Sequence, residues 1–516
     1  MPHLADRYLY SVMTTGFGFI NWIVLGVYLA AMLGIGALFA RKNVSAKEYF
    51  FAGGSIPWWA AGVSMIATSV SATTFLGNPA ETFSGDMSFM MLNLGVPVSI
   101  LITSFVFIPY FRKARVRSAY ETLEKRFDRK TRYLAACIYS AHLLLRTGIL
   151  IYGPAIVLSK ITGFSTTTAI LICGLSTIIY TYEGGFRAVI WTDVVQFGIF
   201  FAGAAAAIAF AASGIDGGYA EASRMADEAG KFVWFRGGID PSDARNFLSA
   251  GVAYIALDLA IRGCDQQFIQ RYMSTSDIKR AQWATVLSAA LGLLVSWALF
   301  MVGAYLYSYY KVHPGDLPAG TDANGVFPHF ILTVLPKGFS GLLVAAIFAA
   351  AMSSLTSAIS ALSNTTVVDF IETRRVFASE TERLKTARRW VLIWGVVGVA
   401  SALYASTFNA SLLYTALYFT SLFTGSLLGI FLLAVAVPRA RGGSAFAGAI
   451  IGMIALAICT RGLNLDIAAA EAAPVIGWIA NGLRLNISWP WYPVISATAT
   501  VAGGMAAGMI GRKAGL

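Results

Sequence analysis

Charge is what this chain has least of: only 12% of its 516 residues are Asp, Glu, Lys or Arg, while 57% are hydrophobic. A soluble domain carries about a quarter charged residues. With a mean hydropathy of +0.67, that shortage excludes an ordinary soluble globule and leaves a polytopic membrane protein. Cysteine is nearly as scarce. Cys137, Cys173, Cys264 and Cys459 all lie within or at the end of apolar runs with no paired metal-ligand spacing, which argues against a disulfide framework or a zinc site. The histidines are His3, His142, His313 and His329, and no metal or nucleotide motif accompanies them, so a membrane enzyme has no catalytic constellation to use. No segment between apolar runs exceeds about forty residues, too short for a separate soluble domain.

The net charge of +12 does not mark a nucleic-acid partner. The basic residues sit in short loops between apolar spans, which is the pattern of topology signals. Apolar stretches near the ~20 residues needed to cross a bilayer number roughly thirteen: 20–40, 56–81, 86–110, 131–159, 163–182, 188–212, 247–271, 283–308, 340–365, 390–408, 411–437, 444–460 and 489–511. The first is too long for a signal-peptide core, lacks a small-residue cleavage site and is followed by Arg41 and Lys42, so it is expected to remain as a helix. Two loops are strongly basic, one with Arg112, Lys113, Arg115, Arg117, Lys125, Arg126, Arg129 and Lys130, the other with Arg374, Arg375, Arg383, Lys385, Arg388 and Arg389. Placing both in the cytoplasm puts the N-terminus and the acidic linker 213–246 outside, and the C-terminus with Arg512 and Lys513 inside. Within that linker, residues 220–232 are expected to form a short amphipathic helix over the outer mouth.

Hydroxyls crowd two of the spans. Residues 350–357 read Ala-Ala-Met-Ser-Ser-Leu-Thr-Ser, and Ser353, Thr356, Ser357 and Ser360 share one helical face by their spacing. Hydrocarbon does not reward such a face, so it looks at another helix, at water or at an ion; helix packing and bonds back to the preceding turn are the plain alternatives. The span at 56–81 carries Ser64, Thr68, Ser69, Ser71, Thr73 and Thr74 before Gly77-Asn78-Pro79. That is the pattern of a helix interrupted partway, whose freed backbone groups line a cavity, or else of a polar-faced helix inside a bundle.

Arg146 stands fourteen residues from both Arg132 and Lys160. At 1.5 Å per residue that is ~21 Å from either, too deep to snorkel. An arginine there serves a solute or pairs with a carboxylate. His142, one turn away, is a candidate neighbour in the same cavity or a packed polar group. Asp258 and Arg262, four apart, either neutralise one another or form a cavity wall, with Arg262 as a gate or second anion partner. Asp193 lies shallow in its span. If its helix neighbours the one at 340–365, it joins Ser353, Thr356 and Ser357 in a hard-oxygen set suited to a small hard cation.

These motifs resemble the sodium/solute symporter family: Trp58 to Gly77 (WWAAGVSMIATSVSATTFLG), Tyr182 to Gln196 (YEGGFRAVIWTDVVQ), Gln266 to Arg271 (QQFIQR) and Ala349 to Ser357 (AAAMSSLTS), in the family's order across about residues 20–440. The resemblance implies an all-α, leucine-transporter-like fold: one domain over 1–516, with a 5+5 inverted repeat at 56–212 and 247–437. The first helix of each repeat is broken, and 20–40 and 444–511 are peripheral. It implies one sodium ion on the carbonyls of Ala67, Val70 and Ala350 and the hydroxyls of Ser353 and Ser354. A second sodium falls on Asp193, Ser353, Thr356 and Ser357.

For the solute, the positions that match the sugar transporters' Gln, Asn and Gln are Thr74, Asp258 and Leu417, which disfavours glucose or galactose. Ser69, Ser71, Thr74 and Arg146 are instead similar to the family's sialic acid transporters, where the arginine meets the substrate carboxylate; Asn93 stands where that subgroup has Gln. The expectation is a plasma-membrane, sodium-driven symporter that imports a carboxylate-bearing solute by alternating access and catalyses no reaction. A sodium/sugar symporter is the alternative, with a membrane enzyme or a passive channel behind it. The bilayer is the other partner.

Overall fold

The computed structural model describes residues 17–40, 45–407, 412–460 and 487–513. His3, Arg41 and Lys42 lie outside the described residues, as do the side chains of Lys160, Arg512 and Lys513. Among the described residues every regular element is helical. We number the main helices α1 (Phe19–Ala40), α2 (Trp58–Ser69), α3 (Ala72–Ser84), α4 (Ser88–Ala114), α5 (Arg129–Thr162), α6 (Thr166–Ser213), α7 (Gly218–Glu228) and α8 (Phe247–Cys264). Then follow α9 (Gln266–Ser274), α10 (Ile278–Val312), α11 (Ala323–Thr333), α12 (Phe339–Ile371), α13 (Glu380–Ala405), α14 (Leu412–Ala436), α15 (Gly442–Thr460) and α16 (Tyr492–Lys513).

Each of the thirteen apolar windows coincides with helix, although only ten helices among the described residues are individually long and apolar enough to cross a bilayer. The difference has local causes. The window at 56–81 is split between α2 and α3, and α2 itself pairs with the segment Ala46–Gly54 across a bend of 113°. The windows at 163–182 and 188–212 are the two arms of α6, which turns at Gly185 (φ 59°, ψ −166°), a conformation that a side chain would strain. Thr166–Ile179 is the apolar part of the shorter arm. The helix α13 begins with the charged run ETERLKTARR, which dilutes its hydropathy.

Polar caps begin many of these helices. Asp128 accepts from the Thr131 amide at α5, Asn246 from Ser249 at α8, and Asp265 from Gln267 at α9. Each satisfies an amide that the first helical turn leaves open.

The most enclosed helix is α12: 94% of its apolar window is buried inside the protein. A helix apolar on all sides belongs at the centre of a bundle, and α12 there packs against α1, α2, α5, α6 and α13. The hydroxyl-bearing stretch 353–360 is therefore turned entirely toward protein, with Ser353, Thr356, Ser357 and Ser360 all buried.

On the other side, α10 runs against both α2 and α3. Its Gly303 lets the chains approach so closely that a Cβ there would lie 2.3 Å from the Pro79 carbonyl oxygen. Gly303→Ala is expected to destabilise the protein by about 1–3 kcal/mol through overpacking. The measurement is Tm of the purified variant, and an unchanged Tm contradicts the close approach.

The linker helix forms as α7, slightly earlier than residues 220–232. It packs on α10, where Ser308 Oγ donates to the Ala222 carbonyl at 2.7 Å. Just after it, Lys231 Nζ donates to the carbonyls of Phe83 (2.7 Å) and Gly85 (2.9 Å) at the C-terminal end of α3, where a cation suits the open carbonyls. The linker is thereby tied to one half of the interrupted helix.

Candidate functional site

Two helices are interrupted, and the site is built where they break. Between α2 and α3, Val70 (φ −84°, ψ 115°) and Ser71 (φ −111°, ψ 171°) are extended. The run Ser69-Val70-Ser71 supplies side chains that compete with or crowd the helical backbone. The break precedes Gly77-Asn78-Pro79, all of which remain helical within α3. The second break, between α8 and α9, is at Asp265 (φ −81°, ψ 126°). Its carboxylate accepts from the Gln267 amide (2.8 Å) and from the Tyr139 hydroxyl (2.8 Å), so the bend is held from α5 as well as from α9.

A cavity of about 200 Å³ opens beside the two breaks, and all seven expected solute residues line it: Ser69, Ser71, Thr74, Asn93, Arg146, Asp258 and Arg262. Leu417 lines it too. Tyr254, Phe268 and Phe300 add aromatic faces, and Thr73, Asn78, Ser296 and Thr420 further polar groups that sequence reasoning did not assign. Ser71 Oγ shares hydrogen bonds with Thr73 Oγ1 (2.6 Å) and Thr74 Oγ1 (3.4 Å), while Asn93 Nδ2 donates to the Met90 carbonyl at 3.2 Å. His142 does not line the cavity. It is buried beside the rings of Tyr139 and Phe423, as a packed group.

The charges on the cavity wall are unevenly paired. Asp258 Oδ2 takes Arg262 Nε at 2.8 Å and also accepts from Ser99 Oγ; Arg262 makes a further bond to Ser288 Oγ at 3.2 Å. Asp258 and Arg262 thus neutralise one another. Arg146, by contrast, has no carboxylate within 4.0 Å and no hydrogen-bond acceptor among the described residues. Its guanidinium faces the cavity, with Asp265 at the α8–α9 break as a carboxylate that acts on it through space from beyond ion-pair distance.

Behind α2, α6, α9 and α12 meet in a second polar cluster, fully enclosed. Asp193 Oδ1 accepts from Ser353 Oγ at 2.7 Å, and Oδ2 accepts from Ser64 Oγ and from Arg271 at 2.9 Å. The helices carrying Asp193 and the α12 hydroxyls are indeed neighbours. Arg271, unassigned by sequence reasoning, is the largest fully buried side chain in the molecule's described part. It donates to Ser64 Oγ (2.8 Å), Ser357 Oγ (2.7 Å), Thr68 Oγ1, Asp193 and the Gln267 carbonyl (2.8 Å). Ser357 therefore meets Asp193 through Arg271. Thr356 turns back to the Ser353 carbonyl at 3.0 Å and does not reach the carboxylate. The i, i+4 spacing of Ser64 and Thr68, on one face of α2, was the sequence signal for this cluster.

Next to it, Ala67, Val70, Ala350 and Ser353 surround a small pocket of about 10 Å³ with Gln196, Phe197 and Phe200. Such a volume accommodates one water-sized particle. Ser354 stands beside it, donating to the carbonyls of Thr68 (3.0 Å) and Val70 (3.4 Å) at the break. Gln196 gives its amide N–H to Tyr28 Oη at 3.0 Å, while its carbonyl oxygen is buried without a donor among the described residues. The hydroxyls of Ser353 and Ser354 are turned away from this pocket, to Asp193 and to the break carbonyls, so hard oxygen donors of the kind a small cation takes stand around it without pointing into it.

Interrupted helices whose ends converge on a shared cavity are how secondary transporters build solute and ion sites, and that is the class to which this geometry assigns the molecule. The sequence narrows it: residues 49–452 match the model of the sodium:solute symporter family, and the chain belongs to that family. It is a sodium-driven symporter of an organic solute and not an enzyme.

Among its relatives are the sodium/sialic acid symporter SiaT of Proteus mirabilis (strain HI4320), 34% identical over 87% of this chain and 91% of that one, and the sodium/sialic acid symporter NanT of Aliivibrio fischeri (strain ATCC 700601 / ES114), 32% identical over 86% and 88%. A substrate-bound, outward-open Na+-coupled sialic acid symporter with a novel Na+ site superposes with a TM-score of 0.84 at 31% identity, covering 96% of this chain and 98% of that one. The nucleobase-cation-symport-1 transporter Mhp1 shares the fold at a TM-score of 0.54 and 12% identity, over 90% and 94% of the two chains.

Proposed function

We propose that the solute is a sialic acid or a related sugar acid, held by its carboxylate on Arg146 and moved together with two sodium ions by alternating access. The observation that carries this reading is the pairing on the cavity wall. Asp258 is already taken by Arg262 and Ser99, which leaves Arg146 facing the cavity with no ion pair within 4.0 Å and with only Asp265, itself bonded to Tyr139 and Gln267, acting on it from further away. A buried arginine is costly unless something neutralises it, and its planar fork suits bidentate contact with a carboxylate. The hydroxyls of Ser69, Ser71 and Thr74 and the amide of Asn93 then meet hydroxyls on the remainder of the solute. The sialic acid symporters among the relatives support the same class of solute. The test is calorimetric titration of purified protein with a sialic acid and with its neutral, carboxylate-reduced counterpart, in sodium and in potassium. Tight binding of the acid alone, and only in sodium, supports the reading; equal binding of the neutral compound overturns it.

One sodium site takes the carbonyls of Ala67, Val70 and Ala350 with Ser353 and Ser354, and the pocket at the α2–α3 break, lined by four of these five residues, suits it in size. The other centres on Asp193 with Ser353, Ser357 and, after a rotamer change, Thr356. Removing both hydroxyls in a Ser353→Ala/Ser354→Ala variant is expected to raise the half-saturating sodium concentration about tenfold or more while leaving the protein folded, since two of five oxygen ligands are lost. Unchanged sodium activation in the folded double variant would contradict the assignment.

The two interruptions, at Val70–Ser71 and at Asp265, open the two halves 56–212 and 247–437, which supports a 5+5 inverted repeat. The same reading counts thirteen crossings, with the broken α2–α3 and both arms of α6 included. Both basic loops lie in the cytoplasm, the N-terminus lies outside, and the bilayer is the plasma membrane.

A further inference from the structure

We propose that Arg271 is a tethered substitute for sodium: in the sodium-free carrier its guanidinium fills the Asp193 site, and sodium enters only as the arginine withdraws. This inference rests on the two-sodium reading above. Three oxygens, on Thr68, Asp193 and Ser357, converge on the buried Nη2 of Arg271 while Ser64 takes its Nε, and Asp193 and Ser357 are among the residues assigned to the second ion. Two unit cations a few ångströms apart in a water-poor site repel strongly. The arginine in its present place also holds Asp193 Oδ2 and Ser357 Oγ, so a sodium ion that takes those two oxygens displaces it.

The arrangement answers a requirement of the transport cycle. When sodium leaves, a carboxylate enclosed on every side is left, and a buried carboxylate without a partner is costly. A charge carried by the protein itself neutralises it, so the empty carrier can reorient. The tether is already present: the same guanidinium donates to the Gln267 carbonyl on its own helix at 2.8 Å, a contact it keeps while releasing the others.

Displacing Arg271 also has a route to the solute. It sits on α9, directly after the break at Asp265. Its neighbour Tyr272 donates to the Arg262 carbonyl at 2.8 Å, and Phe268 of the same helix lines the solute cavity. Sodium and solute affinity are then coupled reciprocally through α9.

The experiment is sodium-dependent thermal stabilisation of purified protein, with potassium as the control cation, for the wild type, Arg271→Gln, Arg271→Lys and Asp193→Asn/Arg271→Gln. With its competitor removed, R271Q is expected to bind sodium with a half-saturating concentration about tenfold or more below wild type, as expected from removing a like charge at contact distance. It should also be less stable than wild type in potassium alone. R271K keeps the charge but not the fork, and is expected to fall between the two; if R271Q does not fold, R271K carries the test. The double variant is expected to lose the gain in sodium affinity. Wild-type half-saturation in folded R271Q, or in folded R271K where R271Q fails, overturns the inference. A wild type whose sodium response is the same as that of the Asp193→Asn/Arg271→Gln variant would instead remove the second sodium site itself, and the inference with it.

Discussion

Arg146→Ala is expected to lower affinity for the acidic solute by roughly 10- to 150-fold, the loss that follows when charge-assisted hydrogen bonds to one group are removed. Binding of a neutral counterpart should change little, because the hydroxyl side of the cavity, Ser69, Ser71, Thr74 and Asn93, is untouched. The sign of the stability effect is also informative. A central arginine costs ~2.5–3.5 kcal/mol on the lenient insertion scale, and among the described residues Arg146 has no ion pair within 4.0 Å, only the longer-range attraction of Asp265. Its removal should therefore leave the solute-free protein as stable as wild type or more so. An Arg146 serving the fold would show the reverse, with Tm falling and acid affinity retained. Paired titrations with acid and neutral ligand, alongside Tm of both proteins, separate the two cases.

Asp193→Asn is expected to act on both coupling and stability. Losing the carboxylate removes the charged ligand of the second sodium site, and the Hill coefficient for sodium should fall from near two toward one. It also leaves the Arg271 guanidinium buried without its counter-ion, and breaking one side of a buried pair costs ~3–5 kcal/mol. The double variant Asp193→Asn/Arg271→Gln should recover most of that stability without recovering the second sodium. That separation matters because the pair is wholly enclosed and hydrogen-bonded through Ser64 and Ser353. If the double variant regains sodium cooperativity with its stability, Asp193 is a structural residue and binds no ion.

What could be read from the chain alone followed from depth and spacing. Arg146 was recognisable because it stands fourteen positions from the nearest Lys or Arg on either side, within apolar helix. The α12 hydroxyls were recognisable because three- and four-residue spacing puts them on one face. Arg271 was legible as the last residue of the QQFIQR motif, but nothing in its spacing named a partner or a role. Only the bend at Asp265 carries α9 inward and turns that charge into the core.

The position of the first break was similarly hidden. Gly77 and Pro79 are the stronger breakers by propensity, yet both are helical within α3, and the chain opens at Val70–Ser71 where α12 presents Ser354 to the carbonyls of Thr68 and Val70. Tertiary partners outweighed local preference. Thr356 shows the same limit from the other side. Its place on the hydroxyl face was evident, but the bond to its own helix backbone was not.

The most direct test is dual-isotope uptake in proteoliposomes, with labelled sodium and a labelled sialic acid measured in the same vesicles under an imposed inward sodium gradient. The account predicts accumulation of the acid above its external concentration, collapse of that accumulation when the gradient is dissipated, and two sodium ions entering for each molecule of acid. Uptake of the acid that is indifferent to the sodium gradient, or a flux ratio of one, would contradict it.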